Sequence, residues 1–154
     1  MNIAALALSL LISQTAPVDQ TTEIGPDFVK QKGTEADPKH TPKLTAPKQV
    51  TAGDWFEVKI SVGKDNLHPS LHHHHVRWIA LTADGVELNR VYLHPTMAKP
   101  EVTFVIALPD DRTFDKDGNV KSRKDRTVVL RAIEAPTHTS EWWVEQPIVV
   151  KAKK

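Results

Sequence analysis

A chain of 154 residues has room for one domain, and 40% hydrophobic with 25% charged residues describe a globular protein able to bury a core. Twenty basic against nineteen acidic residues leave a formal charge of +1, which gives no strong field to argue for nucleic acid or a membrane surface. There is no cysteine, so disulfides, iron–sulfur clusters, thiolate-bound metals and cysteine nucleophiles are excluded, and any metal must be held by nitrogen and oxygen.

At the N-terminus, Met1 to Ala16 carries the apolar stretch Ile3 to Ile12. Its length suits the hydrophobic region of a signal peptide and is too short to span a bilayer. Cleavage after Ala16, a periplasmic or secreted location, and no membrane attachment afterwards are the expectation. Residues 17–35 are rich in Gln, Thr, Asp, Pro and Gly without an apolar period, and read as a linker or flexible arm. Residues 36–154 read as the folded domain.

Within that domain the pattern is that of a β protein. Trp55 to Val62 alternates, with Phe56, Val58, Ile60 and Val62 on one face. Val76 to Leu81 is a more fully apolar strand, and Asp84-Gly85 is a hairpin signal because both residues accept positive φ. Val86 to Leu93 is the return strand. Glu101 to Leu108 alternates again, Arg126 to Ile133 follows, and Trp142 to Ala152 is interrupted by Pro147, which predicts an edge or a bulge. Pro109 to Asp125 is a long charged connection; its Asp117-Gly118 reads as a hairpin turn rather than a calcium loop, since the closing glutamate is missing. No stretch has a helical period. The expected fold is an immunoglobulin-like antiparallel β-sandwich of about seven strands.

The chemistry is concentrated between His68 and His75, where five of the chain's eight histidines fall. Imidazole is the commonest ligand for zinc, copper, iron and nickel, being neutral near pH 7 with one free lone pair. His72, His73, His74 and His75 cannot all reach one ion, because adjacent strand residues face opposite ways. His72 and His73 read as exposed residues or extra capture ligands, His75 as a supporting residue, and His94 before Pro95 as a turn residue. Trp78, Trp142 and Trp143 read as packing.

The order of motifs Lys39-His40-Thr41-Pro42, Val62-Gly63-Lys64, His68-Pro69, His74-His75-Val76-Arg77-Trp78-Ile79 and Asp84-Gly85 resembles the superoxide reductase family, the neelaredoxins and the iron-binding domain of desulfoferrodoxins. The resemblance spans about Ala36 to Val150. It implies an immunoglobulin-like sandwich with one mononuclear iron at one end, bound by four histidines and an axial cysteine. By motif, His40, His68 and His74 match three ligands, and Lys39 matches the lysine that attracts superoxide. The departures are marked: Pro38 replaces the glutamate two residues before the first histidine, Pro136 falls at the cysteine position, and Thr139 falls where the fourth histidine belongs. His138, one residue away, is the substitute ligand.

Without a thiolate, an all-imidazole site suits copper as well as iron, and copper leads on affinity. Three functions follow. The first is a secreted metal protein that reacts with superoxide, reducing it with an external electron donor or, with copper, dismutating it. The second is a non-catalytic periplasmic protein that binds or delivers copper or another divalent ion. The third is an interaction module whose metal site has decayed.

Overall fold

The structure, a computed structural model, describes residues 37–63 and 65–153. The expected signal peptide and the expected linker lie outside the described residues. Ten strands are present: β1 (Pro42–Thr45), β2 (Gln49–Thr51), β3 (Phe56–Val62), β4 (Val76–Ala83), β5 (Val86–Tyr92), β6 (Glu101–Ile106), β7 (Asp111–Phe114), β8 (Val120–Lys124), β9 (Arg126–Pro136) and β10 (Trp142–Lys151). No helix occurs among the described residues, as the absence of a helical period predicts.

A three-stranded sheet in the order β1-β3-β6 faces a five-stranded sheet in the order β2-β10-β9-β4-β5. Alternation does the work of separating faces. Val58, Ile60 and Val62 of β3 and Phe104 and Ile106 of β6 point inward, to meet Ile79 and Leu81 of β4, Val128, Leu130 and Ala132 of β9, and Ile148 and Val150 of β10. Each fully buried aliphatic side chain contributes roughly 1.5–3 kcal/mol, so this layer carries the stability of the domain.

The all-β class and the sandwich follow the sequence pattern; the strand count does not. Ten strands stand where about seven are expected. β1 and β2 are only four and three residues long; the other two, β7 and β8, lie inside the charged Pro109–Asp125 connection. Their residues are nearly all exposed, so no buried face imposes a period on the sequence. The Asp117-Gly118 hairpin turn is present there, with Asp115 Oδ1 accepting the N–H groups of Asp117 and Asn119. The pairing is also not wholly antiparallel: β2 runs parallel to the end of β10. Pro147 lies before that paired end and faces Val129 of β9, so its missing N–H costs the sheet nothing on the other side.

β4 is mostly apolar because, from Trp78 onward, it is covered on both faces; Arg77 is exposed. A register shift between Val76 and Trp78 turns Val76 inward and Trp78 outward. On the outer face Trp78, Ala80, Ile133 and Ala135 pack with Trp143. The Arg90 and Arg131 guanidiniums lie 3.9 and 4.5 Å from the Trp78 and Trp143 ring centroids. Asp84 and Gly85 take φ of 48° and 82°, the two-residue turn that the dipeptide predicts.

Candidate metal centre

Four histidines from four separate segments meet at one end of the sandwich. His40 sits in the turn before β1, His68 in the loop after β3, His74 just before β4, and His138 in the loop between β9 and β10. One ring nitrogen from each lies within 4.8 Å of all the others. Around the cluster the ring centroids are 5.1 Å apart for His40–His68, 4.8 Å for His68–His74, 4.1 Å for His74–His138 and 4.9 Å for His138–His40. The cross pair His68–His138 is wider, at 5.8 Å, so the rings form a closed circuit about a common centre.

Local hydrogen bonding explains each position. Gly63 turns the chain out of β3 at φ +98°, and the His68 N–H donates back to the Val62 carbonyl at 2.9 Å, which folds His68 under the loop. The His68 Nδ1–H donates to the Pro69 carbonyl at 2.8 Å. Its Nε2 is buried and has no partner. A buried imidazole nitrogen without a partner is costly, and a cation at the centre is the partner that its position fits.

Leu71 and His74 exchange both main-chain hydrogen bonds, at 2.9 and 3.1 Å, and place His72 and His73 on the exposed tip of a tight turn. His74 faces the cluster from the base of that turn. The Thr137 hydroxyl donates to the His73 carbonyl and accepts from the His75 N–H, both at 3.3 Å. The Thr137 N–H also donates to the His75 carbonyl at 3.0 Å. Thr137 thus clamps the segment carrying His74 to the loop carrying His138. His75 Nδ1 turns away to the Leu71 carbonyl at 3.1 Å, and His94 closes an exposed turn with Nδ1 on the Pro95 carbonyl at 2.8 Å.

His40 and His138 approach most directly, with Nε2 atoms 3.0 Å apart. His40 Nδ1–H donates to Asp37 Oδ2 at 2.7 Å. The Trp142 indole stacks on the His40 ring at 5.5 Å between centroids and 18° between planes. Its Nε1–H donates to the Thr139 hydroxyl at 2.9 Å, so the residue at the expected fourth-histidine position supports the tryptophan while His138 enters the cluster. Pro136 ends β9, buried beside Val76.

Burial pushes the His68 imidazole down to a pKa of about 4, assisted by the neighbouring histidines and opposed by its bond to Pro69. His138 is lowered by burial and by His74 and His40. Burial raises Asp37, but hydrogen bonds from His40 and the Lys39 N–H outweigh it and hold the carboxylate below its usual range. Lys39 is exposed and lines, with Pro38, Asp65, Asn66, Leu67, His68, Pro69 and His74, a cleft of about 380 Å³ that opens on the cluster.

Opposed nitrogens around one ion, at metal–nitrogen lengths of about 2.0–2.1 Å, lie about 4.2 Å apart or less. Donor atoms within 4.8 Å of one another therefore fit a single ion with small ring movements. Sequence reasoning brings forward the four histidines and Lys39. It misses the Asp37–His40 contact, whose signal is a carboxylate three residues before a ligand, and the stacking of Trp142.

Fold and site together define an all-β protein with a four-histidine centre at one end of its sandwich. The family model described as Desulfoferrodoxin matches residues 32–121. The match ends before the segment that carries His138. A Methanocaldococcus jannaschii protein named "Putative superoxide reductase" is 31% identical over 121 residues, spanning 79% of this chain and 91% of that one. The solved superoxide reductase (neelaredoxin) from Ignicoccus hospitalis is 30% identical with a TM-score of 0.59, covering 83% of this chain and 93% of that chain. Neelaredoxin of Megalodesulfovibrio gigas is 42% identical over 41 residues, 27% of this chain and 32% of that protein. The chain belongs to the desulfoferrodoxin family.

Proposed function

We propose that this chain is an exported, mononuclear metal protein that reacts with superoxide at an ion held by His40, His68, His74 and His138. The observation that carries the reading is the convergence of four imidazole nitrogens within 4.8 Å, one of them the buried and unpartnered Nε2 of His68. The solved relative with 93% of its length covered is named a superoxide reductase, which supports superoxide as the substrate. The apolar stretch at Ile3 to Ile12 supports export.

The ion, when bound, supplies one-electron redox chemistry and a Lewis-acidic position. The chain's own residues do the rest. Lys39, exposed at the edge of the cleft, raises the local concentration of the superoxide anion. Trp142 closes one side of His40 and limits water there. Reduction of superoxide to hydrogen peroxide takes one electron and two protons, so that activity needs an external electron donor. With copper, two superoxide anions and two protons give hydrogen peroxide and dioxygen, and no donor is required. The all-nitrogen donor set accommodates either iron or copper.

The test is a double substitution. Full-length protein carrying His68→Ala and His74→Ala is expected to lose stoichiometric iron or copper and to consume superoxide no faster than the free ion. Retained metal in that variant overturns the site. Wild-type protein that holds one ion yet leaves superoxide untouched overturns the reaction and leaves metal storage or delivery, for which the exposed His72 and His73 provide capture ligands.

A further inference from the structure

We infer that Asp37 is the orienting carboxylate of this centre, fixing the His40 tautomer that presents Nε2 to the ion. The inference rests on the metal-binding reading above and adds a residue to it. Asp37 Oδ2 accepts from His40 Nδ1 at 2.7 Å, a short, charge-assisted contact on a ring that is almost fully buried. A neutral imidazole can carry its proton on either nitrogen, and a carboxylate accepts only from a nitrogen that bears one. The proton therefore stays on Nδ1, and the lone pair stays on Nε2. Nε2 is the atom that stands 3.0 Å from His138 Nε2, inside the cluster.

Asp37 is itself held at both ends. Its Oδ1 accepts from the Lys39 N–H at 3.0 Å. Its main-chain carbonyl accepts from the N–H groups of His40 and Thr41 at 3.3 and 3.1 Å, and from the Thr41 hydroxyl at 2.8 Å. The turn from Asp37 to Thr41 thus holds the carboxylate in place, and rotation of the His40 ring would break its bond to Oδ2. The two buried ligands are treated differently: His68 Nδ1 faces a neutral carbonyl, whereas His40 Nδ1 faces a charge. A carboxylate behind a ligand ring raises its basicity as well as aiming it, and losing such a partner costs 10–100-fold in metal affinity.

The geometry also accounts for the departure at Pro38. A side chain without a donor atom occupies the position that the family resemblance gives to glutamate, and the neighbouring carboxylate acts on the back of a ligand ring instead. Asp37 is a positioning residue.

The experiment titrates the full chain with Cu(II) alone and with Fe(II) alone against a competing chelator, in wild type, Asp37→Ala, Asp37→Glu and His40→Ala. Asp37→Ala is expected to bind 10–100-fold more weakly while its folded spectrum persists, and Asp37→Glu to recover part of the loss. Equal affinity in Asp37→Ala and wild type, with metal lost in His40→Ala, overturns the role of Asp37 and leaves the metal site standing. A wild-type chain that holds no ion overturns both. If Asp37→Ala fails to fold, nitrogen-15 resonances of the histidines in metal-free wild type decide: a protonated Nδ1 on His40 supports the assignment, and a bare Nδ1 overturns it.

Discussion

His68 is the residue in which burial and chemistry pull hardest against each other. A ring only 3% exposed, with Nε2 unpartnered, would be expensive in a protein that had no use for it. Its depressed pKa of about 4, and the lowered pKa of His138, set how acid competes with metal. A ligand stays available while its pH is above its pKa, so depressed values keep these two imidazoles unprotonated into mild acid. Metal release on acidification is therefore expected to centre below the ordinary imidazole value of about 6.5. Elemental analysis of loaded protein after equilibration across pH 4 to 7 checks it; release centred at or above that value means that His68 does not control retention. His40, His68 and His74 are legible from the order of short motifs. Asp37 is not: Asp37-Pro38 signals a turn, but only the folded turn shows that the carboxylate reaches Nδ1 of His40.

At the scale of elements, legibility follows burial. β3 and β6 have one buried and one exposed face, so their alternation stands out in the sequence. β7 and β8 bury almost nothing, and β1 and β2 are four and three residues long, too short to carry a period. The loop after β3 matters most for the site, because it delivers His68. Gly63 has φ +98°, and a Cβ there would stand 2.0 Å from the Asn66 carbonyl oxygen, a backbone atom that cannot swing aside. Gly63→Ala is expected to cost more than about 1 kcal/mol and to weaken metal binding by displacing His68. Gly118, with φ +83° and open space around it, is the control. Gly118→Ala strains the β7–β8 hairpin alone, lowers the melting temperature, and leaves metal affinity unchanged. Thermal melts paired with chelator competition separate the two, and equal metal affinity in both variants would sever the Gly63 turn from the site.

At the scale of the fold, the largest electrostatic liability among the described residues is Glu134, fully buried with neither carboxyl oxygen hydrogen-bonded. It pairs across the sheet with Trp142, so it shares the face from which that indole stacks on His40, and it is not one of the four clustered residues. Nothing in the strand pattern distinguishes it: an acidic residue near a strand end usually reaches solvent, and only the packing of both sheets closes over this one. Burial, with Asp37 and Glu141 nearby and only Arg77 opposing, pushes its pKa up to about 9. The folded chain therefore keeps a proton that the unfolded chain releases near the usual carboxyl value of about 4.5. Stability from this group is fully present below that lower value and is lost as pH rises through the higher one. The slope is about 1.4 kcal/mol per pH unit while the two states differ by one proton. Metal-free wild type is expected to lose on the order of 1 M in urea midpoint between pH 7 and 9, taking about 1–3 kcal/mol per molar for the denaturant slope. Glu134→Gln keeps the shape, removes the titration and is expected to hold a flat profile, whatever constant offset the amide adds. Parallel profiles for the two proteins would mean that Glu134 is already ionised in the folded state, with Arg77 outweighing burial and the two neighbouring carboxylates.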